Sequence, residues 1–434
     1  MNARVRANRP AGVLFVGIAL AASSLLPGPS AAQDLLIRGA TIHTSSPHGT
    51  IENGDVLVRQ GRIAEIGKGL AAGPGTAVVE ARGRPLTSGF FGGVTAFGIE
   101  EISLEPSTID NSPTLRATGS GDTFAPRPEF DVTVAFNPDS VPISVNRAEG
   151  ITFAMVAPSA LTGGTVLAGQ GAVVRLDGRS DAFPTPSRTL FVNLGPNATS
   201  ASGLTRAAQF MLLEQAVREA RPPQAARDGD FRLLTPIGRE TLARYLKGGR
   251  IAFTVDRAAD IRQVLAFAER TGAKVMIVGG AQAWQVADPL ARAGVPVILD
   301  PLVNLPATFD QLGATLENAA RLNRAGVPIA FTHTTADAST HLAHKVRQAA
   351  GVAVAHGLPW DAALAALTSG PAEAFALGGE LGRIAPGYAA DLVLWSGDPL
   401  EVTSFAEQVW IDGREQPMRT RQTELRDRYR PRSP

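Results

Sequence analysis

The strongest constraint on the fold is an alternation of short apolar segments with helical ones that begins at residue 251. Four short segments have the composition of buried strands: 251–255, 274–278, 297–299 and 329–332. A segment of helical character follows each strand, and the first three of these helices end near a glycine. Such units form a parallel sheet with helical crossovers. Four of them in a row favour a closed (β/α)8 TIM barrel of the α/β class over an open doubly wound sheet.

Strand-like segments at the two ends of the chain predict a second, β-rich unit. These segments are residues 34–42, 55–67, 391–395 and 408–414. Because they flank the strand–helix region, we expect residues 33–87 and 376–434 to form one small composite β-sandwich. The barrel, residues 88–375, would then be inserted in that sandwich. A chain of 434 residues is long enough for two such cores.

The first 32 residues are typical of a secretory signal peptide. Arg4, Arg6 and Arg9 precede an apolar run at residues 11–26, and small residues at 30–32 precede the predicted cleavage site. An uncleaved membrane anchor is the alternative, but the apolar run is short for a membrane span. We therefore expect an exported protein, periplasmic or secreted, with no membrane attachment after the signal is removed.

Charge and cysteine content exclude several classes of function. Removing the signal takes away three of the 41 Lys and Arg residues and none of the 40 acidic ones, which leaves a net charge of −2. A slightly acidic chain gives no basis for nucleic-acid binding. The chain contains no cysteine, so it can form neither a disulfide nor a cysteine-linked lipid anchor.

Several motifs, in order along the chain, resemble those of imidazolonepropionase-like proteins of the amidohydrolase superfamily. Residues 381–395 (LGRIAPGYAADLVLW) are similar to that family's C-terminal G-x-I-x-P-G-x-x-A-D-L-V strand, and residues 409–414 (VWIDGR) to its closing hairpin. Other similar segments are residues 146–152, 163–164 with 169–170, 256–261 and 281–297. The resemblance implies a metal-dependent hydrolase whose divalent ions activate water at the C-terminal ends of the barrel strands.

The chain departs from the family pattern where the metal ligands would be, beginning in residues 86–98 (LTSGFFGGVTAFG). The resemblance places the two first-strand histidines, the fifth- and sixth-strand histidines and the eighth-strand aspartate at Val94, Ala96, Thr254, Gly279 and about Thr334. None of these residues carries an imidazole or a carboxylate, the groups that hold such ions. The bridging lysine or glutamate of the fourth strand has no identifiable counterpart. We therefore expect no cofactor.

Phenylalanines beside these positions suggest what occupies the space instead. Phe90, Phe91 and Phe97 stand on either side of Val94 and Ala96, next to two glycines. We expect apolar side chains of this kind to fill the barrel interior where metal ions would otherwise bind.

Two other groups of residues could supply chemistry. His333, His341 and His344 follow the last barrel strand, and with Asp337 they could bind Zn²⁺ or a similar divalent ion. The alternative is a helix start with surface histidines, because His341 and His344 alone share one helix face.

Carboxylates at predicted strand ends are the second group. Glu101, Asp256 and Asp300 could perform acid–base chemistry without a metal. Each also has a structural explanation, since Asp256 precedes a helix that it could cap and Asp300 precedes a proline in a turn.

The sequence thus leaves two functions of different classes. The first is an exported amidohydrolase-superfamily protein without the family's metal ligands, either a non-catalytic binding protein for a small molecule or peptide-like ligand, or the silent partner of an active paralogue. Such a partner would form a homo-oligomer or a hetero-oligomer. The second is a hydrolase of amide or peptide-like C–N bonds with a displaced or metal-free site.

Overall fold

Two eight-stranded sheets organise the residues that the computed structural model describes. These residues are 34–113, 126–159, 165–196, 205–221, 232–334 and 340–430. The predicted signal peptide lies outside them. Within these ranges no helix is long and apolar enough to cross a membrane.

The elements alternate as the sequence predicts over most of the barrel region. The strands are β1 (Leu35–His43), β2 (Thr50–Arg59), β3 (Arg62–Gly67), β4 (Ala77–Glu80), β5 (Pro85–Ser88), β6 (Phe90–Thr95), β7 (Ile151–Val156), β8 (Leu167–Arg175), β9 (Thr189–Asn193), β10 (Arg250–Val255), β11 (Lys274–Gly279), β12 (Val297–Leu299), β13 (Ile329–Phe331), β14 (Leu392–Trp395), β15 (Ala406–Ile411) and β16 (Arg414–Glu415). The α-helices are α1 (Val141–Arg147), α2 (Arg206–Ala220), α3 (Pro236–Leu246), α4 (Ala258–Thr271), α5 (Ala287–Ala293), α6 (Asn318–Arg324), α7 (Val346–Ala355), α8 (Trp360–Leu367), α9 (Ser369–Ala374) and α10 (Arg421–Tyr429).

The first sheet joins the two ends of the described chain. Its strand order is β16-β15-β14-β5-β1-β2-β3, with β4 paired to β1. Strand β14 runs antiparallel to β5, with Leu392 opposite Ser88 and Leu394 opposite Leu86. C-terminal residues therefore complete a sheet that N-terminal residues begin, which gives the β-rich unit its composite character.

The second sheet follows chain order from β6 to β13 and nearly closes on itself as a TIM-like barrel. Strands β9 to β13 are parallel, as are β6 and β7. At the seam between the first and last strands, the Val94 amide donates a hydrogen bond to Thr332 Oγ1 at 2.9 Å. The predicted fold class, an α/β barrel with a β-rich unit, is confirmed.

One barrel strand runs against the predicted pattern. Strand β8 is antiparallel to both β7 and β9, so this part of the barrel is a meander and not a strand–helix–strand unit. Glycine permits the close pairing, because a Cβ atom on Gly171 would lie 2.1 Å from the Val156 carbonyl oxygen. The pattern of residues 251–332 predicts parallel strands throughout the barrel, and β8 is an exception to it.

Alternation of side chains along the strands separates two apolar clusters. The interior cluster contains Phe91, Phe153, Met276 and Ile298, together with Phe375, which lies 5.7 Å from Phe91 between ring centroids. The outer cluster packs the opposite faces of the same strands against the helices.

The phenylalanines expected in the interior divide between these clusters. Phe91 packs inside the barrel as predicted. The same expectation is wrong for Phe90 and Phe97, which belong to the outer cluster. Phe90 stacks on Trp395 at 4.9 Å because consecutive residues of a strand point to opposite faces.

A buried ion network connects the barrel to the first sheet. Arg175, at the end of β8, pairs with Asp391 just before β14 and with Asp412 in the turn after β15, the latter at 2.7 Å. Asp391 is almost fully buried. Burial acts to lower the pKa of Arg175, but the two carboxylates outweigh it and raise the pKa above its ordinary value. The network therefore compensates charges that would otherwise be buried alone.

Replacing Arg175 with methionine tests this connection. We expect the Arg175→Met variant to lose about 3–5 kcal/mol of unfolding free energy, because Asp391 is then left buried without its partner. Urea unfolding followed by circular dichroism measures the loss. The matched control is Arg179→Met, whose ion pair with Asp181 is exposed, and it should unfold at the wild-type urea concentration. Equal behaviour of the two variants would contradict a structural role for the network.

Candidate functional site at the barrel mouth

The C-terminal ends of the parallel strands form the mouth of the barrel, where TIM-barrel sites lie. Register places Asn193, Thr254 and Val278 side by side on β9, β10 and β11. Thr254 is half-buried, and Asn193 is fully buried. Ile298, beside Val278 on β12, continues the row as an apolar residue. Only hydroxyl and amide groups therefore bring polarity to this layer.

Val94 and Ala96 do not converge on one point. The β6–β7 register shifts around the two glycines before Val94. Val94 then packs against the interior cluster, whereas Ala96 belongs to the outer one. Their backbone amides are held by threonine hydroxyls, since Ala96 donates to Thr340 Oγ1 at 3.0 Å much as Val94 donates to Thr332. A pair of ligands at these two positions would need a different course of β6.

The backbone conformation and surroundings of Gly279 leave no room for a side chain. Its φ of +91° lies in the region that favours glycine. A Cβ atom here would lie 2.7 Å from Asp256 Oδ1. The backbone therefore closes directly on the Asp256 carboxylate.

Asp256 links two loops at the mouth by hydrogen bonds. It accepts hydrogen bonds from the Ala281 amide at 3.1 Å and from Gln311 Nε2 at 2.9 Å. Burial raises the pKa of this carboxyl above its ordinary value. The expected cap on the following helix is wrong in detail, because the Ala258 amide donates instead to Gln282 Oε1.

The structure brings Asp300 together with two other predicted site residues, His333 and Thr334. Asp300 Oδ2 accepts the Thr334 amide at 3.0 Å and lies 3.7 Å from His333 Nδ1. Burial would raise the pKa of Asp300, but His333 and the amides of Leu302 and Thr334 outweigh it and lower the pKa. His333 is buried, and its Nε2 has no hydrogen-bond partner in the described part of the chain. Thr334 itself is exposed.

His344 and Glu101 contact residues other than the Asp300–His333 pair. His344 Nδ1 contacts Asn146 Oδ1 at 2.9 Å, and burial lowers the pKa of this ring to about 4. His341 is half-buried. Glu101 accepts the Val141 amide at 3.3 Å at the start of α1, which is a capping contact. Across the described ranges, no three His, Asp or Glu side chains group closely enough to hold a metal ion.

These observations allow the residues at the mouth to be compared with the ligands that a divalent metal ion needs. The five positions that the resemblance assigns to ligands offer methyl, hydroxyl and hydrogen, His344 contacts Asn146, and His333 lies beside Asp300. The residues present at the mouth therefore do not match the donor set of a divalent hydrolase centre. Asp337 lies outside the described residues.

Exposed apolar side chains follow two of the mouth strands. The loop after β12 presents Leu305, 81% exposed, and Phe309, 86% exposed, with Leu302 and Leu312 nearby in sequence. Leu104, in the loop after β6, is 92% exposed. Apolar groups exposed together at a protein surface commonly mark a binding site.

Sequence reasoning missed the residues that organise the mouth. Thr332 and Thr340 hold the first strand, and Gln311 holds Asp256. A polar residue directly after a strand was the available signal for Thr332. No local pattern indicates Gln311 or Thr340, since each acts on a residue far away in the sequence.

Comparison with known proteins confirms the resemblance. Residues 247–415 match the model described as the Amidohydrolase family. The amidohydrolase tasK of Hapsidospora irregularis is 50% identical over 58 residues, which are 13% of this chain and 6% of that protein. The chain thus spans only a small part of this relative's length.

Solved structures extend the similarity to most of the chain. An amidohydrolase from Thermotoga maritima is 25% identical with a TM-score of 0.77, over 89% of this chain and 100% of that one. An adenosine deaminase from Xanthomonas campestris, solved with bound zinc, has a TM-score of 0.52 at 15% identity, over 89% and 93% of the two chains, and shares the fold. The chain therefore resembles the amidohydrolase superfamily in its fold, and residues 247–415 match the family model.

The His344 environment predicts a specific pH dependence of stability. Its pKa of about 4 in the folded protein lies below the ordinary 6.5, so only the unfolded chain binds the proton between these values. Stability should therefore be complete above pH 6.5 and fall by about 1–2 kcal/mol towards pH 4, after allowance for the ring's partial exposure.

Urea unfolding at several pH values tests this dependence. His344→Gln should lose less stability between pH 6.5 and 4 than the wild type, because its amide does not take up a proton. The exposed His48 provides the control variant His48→Gln, which should follow the wild-type curve. Parallel curves for wild type and His344→Gln would refute the assignment.

Proposed function

We propose that this protein is an amidohydrolase-superfamily member that works without the metal centre and binds a small or peptide-like ligand at the barrel mouth. The observation that carries the proposal is the residue set at the five family ligand positions. Val94, Ala96, Thr254, Gly279 and Thr334 supply no strong cation ligand. In addition, Val94 packs into the apolar interior, and the Gly279 backbone closes on Asp256.

The mouth supports binding of a ligand with both polar and apolar groups. Thr254, Asn193 and the Asp300–His333 pair offer hydrogen-bonding atoms. The apolar side chains of the loop after β12 could cover the less polar part of a ligand. A few polar groups within an apolar rim are typical of small-molecule sites.

Location and assembly are part of the same proposal. Residues 1–32 support export to the periplasm or the medium. The exposed Leu305 and Phe309 also suit contact with another chain, either a second copy or an intact paralogue. In that case the protein would act as the silent subunit of an oligomer.

Metal content is the most direct test. We expect the protein purified with Zn²⁺ or Mn²⁺ supplied to hold less than about a tenth of an equivalent after desalting, because the donor set is missing. Elemental analysis by mass spectrometry measures the bound metal per protein chain. About one equivalent of metal that disappears in a His333, His341 and His344 triple alanine variant would overturn the proposal.

A metal-free hydrolase is the second candidate, and the unpartnered His333 Nε2 is the observation that favours it. This nitrogen could take a proton from water as the water oxygen attacks an amide carbonyl carbon. The same proton would then pass to the leaving nitrogen as the C–N bond breaks. Asp300, on the Nδ1 side of the ring, would stabilise the transient imidazolium.

Matched carboxylate variants separate the two candidates. If the second candidate is correct, chelator-treated protein should hydrolyse members of a panel of amides and dipeptides. Asp300→Asn should then reduce kcat at least about a hundredfold. Asp181→Asn is the control and should retain the rate, because Asp181 is an exposed carboxylate in the loop after β8. Absence of hydrolysis across the panel, with ligand binding detected by thermal shift, supports the binding function instead.

A further inference from the structure

A groove opens at the face of the barrel opposite the mouth. It has a volume of about 950 Å³ and reaches the first residues of β10 and β11, Arg250 and Lys274. Helices α4, α5 and α9 contribute the remaining walls. The volume lies within the range of small-molecule sites. The proposed function uses the mouth, so this groove has no role in it.

Positive side chains predominate in the groove. Arg250, Arg262, Lys274 and Arg292 line it, against Glu269 and Glu373. Glu373 is already paired with Arg383, which is not part of the lining. The other three cations beside Arg250 are exposed. Within the described ranges none of the four makes an ion pair, so the groove carries an excess of positive charge.

Arg250 is the cation whose surroundings point most clearly to an anion. It is half-buried and donates hydrogen bonds to the carbonyl oxygens of Ala374 at 3.1 Å and Pro186 at 3.0 Å. Burial lowers the pKa of its guanidinium, and no carboxylate opposes that effect. By contrast, the mostly buried guanidinium of Arg175 pairs with two carboxylates, those of Asp391 and Asp412. A partly desolvated charge without a counter-charge favours binding of an anion.

The ends of the surrounding helices do not account for this charge. Cations often stand near helix C-termini because the last carbonyl groups carry partial negative charge. Here the chain satisfies such carbonyls itself, since the Gly272 amide donates to Ala268 and the Gly294 amide to Ala291. Arg262 lies in the second turn of α4, far from its C-terminal end. Its position in the groove therefore needs another explanation.

The rest of the lining is mostly apolar. Leu265 and Ala266 of α4 line the groove, together with Pro296 and Pro328, and all four are at least partly exposed. We propose that this groove binds an amphipathic organic anion, a carboxylate or phosphate group attached to an apolar body. The anionic group meets Arg250 and the cations of the rim, and the apolar body lies along α4 and the two prolines. The site stands independently of any ligand at the mouth.

Titration calorimetry with three simple probes tests the site on the full-length protein. Decanoate and decyl phosphate represent the two anionic groups, and 1-decanol has the same chain without charge. We expect one equivalent of at least one anion to bind, at least about tenfold more tightly than decanol, and more weakly as salt rises. Equal affinity for decanol and both anions would overturn the proposal, as would no binding of any probe.

Variants locate the binding. The double variant Lys274→Gln and Arg262→Gln removes two exposed cations. It should lower the affinity for the anion about tenfold without affecting the fold. Arg250→Gln should weaken it at least as much, with folding verified by circular dichroism. Arg59→Gln with Lys68→Gln removes two exposed cations of the first sheet and is the control. If the affinity for the anion is unchanged in the groove variants, or is reduced equally in the control, the anion binds elsewhere and the proposed site is refuted.

Discussion

The pairing of Arg175 with Asp391 and Asp412 is the interaction on which the architecture depends. Strand β8 is antiparallel to its neighbours, so its last residue lies at the bottom of the barrel and not at the mouth. Arg175 therefore reaches the turn before β14 and the turn after β15, where the C-terminal strands join the first sheet. Arg175 is mostly buried, Asp391 is buried and Asp412 is partly exposed, so removing the arginine leaves Asp391 buried without a compensating charge. The network thus couples the direction of one barrel strand to the completion of the composite sheet.

The mouth of the barrel is organised by hydrogen bonds and by close backbone packing. Threonine hydroxyls hold the first strand in place, a glycine lets the backbone close on Asp256, and Val94 extends the apolar interior upward. What remains polar is concentrated around Asp300 and His333. Hydrogen-bonding groups therefore characterise this end of the barrel, and no cluster of three metal-ligating side chains occurs within the described residues.

The two faces of the barrel offer contrasting chemistry. The mouth combines buried polar groups with exposed apolar loop residues such as Phe309. The opposite face carries an open groove with uncompensated cations and an apolar wall. A single fold can therefore present two independent sites, since loops and helix ends vary while the strands keep their packing.

The sequence by itself determined the barrel class, the four parallel strands from β10 to β13 and the composite β-rich unit. These features follow from local periodicity, glycine at helix ends and a contiguous family motif near Asp391, all of which act over short stretches of chain. That the positions assigned to metal ligands lack such ligands stays a prediction, because it depends on the alignment that the resemblance implies. Only the tertiary structure decided the antiparallel course of β8, the separation of Val94 from Ala96 and the pairing of Asp300 with His333. Each of these depends on register or on contacts between distant segments, for which neighbouring residues carry no signal.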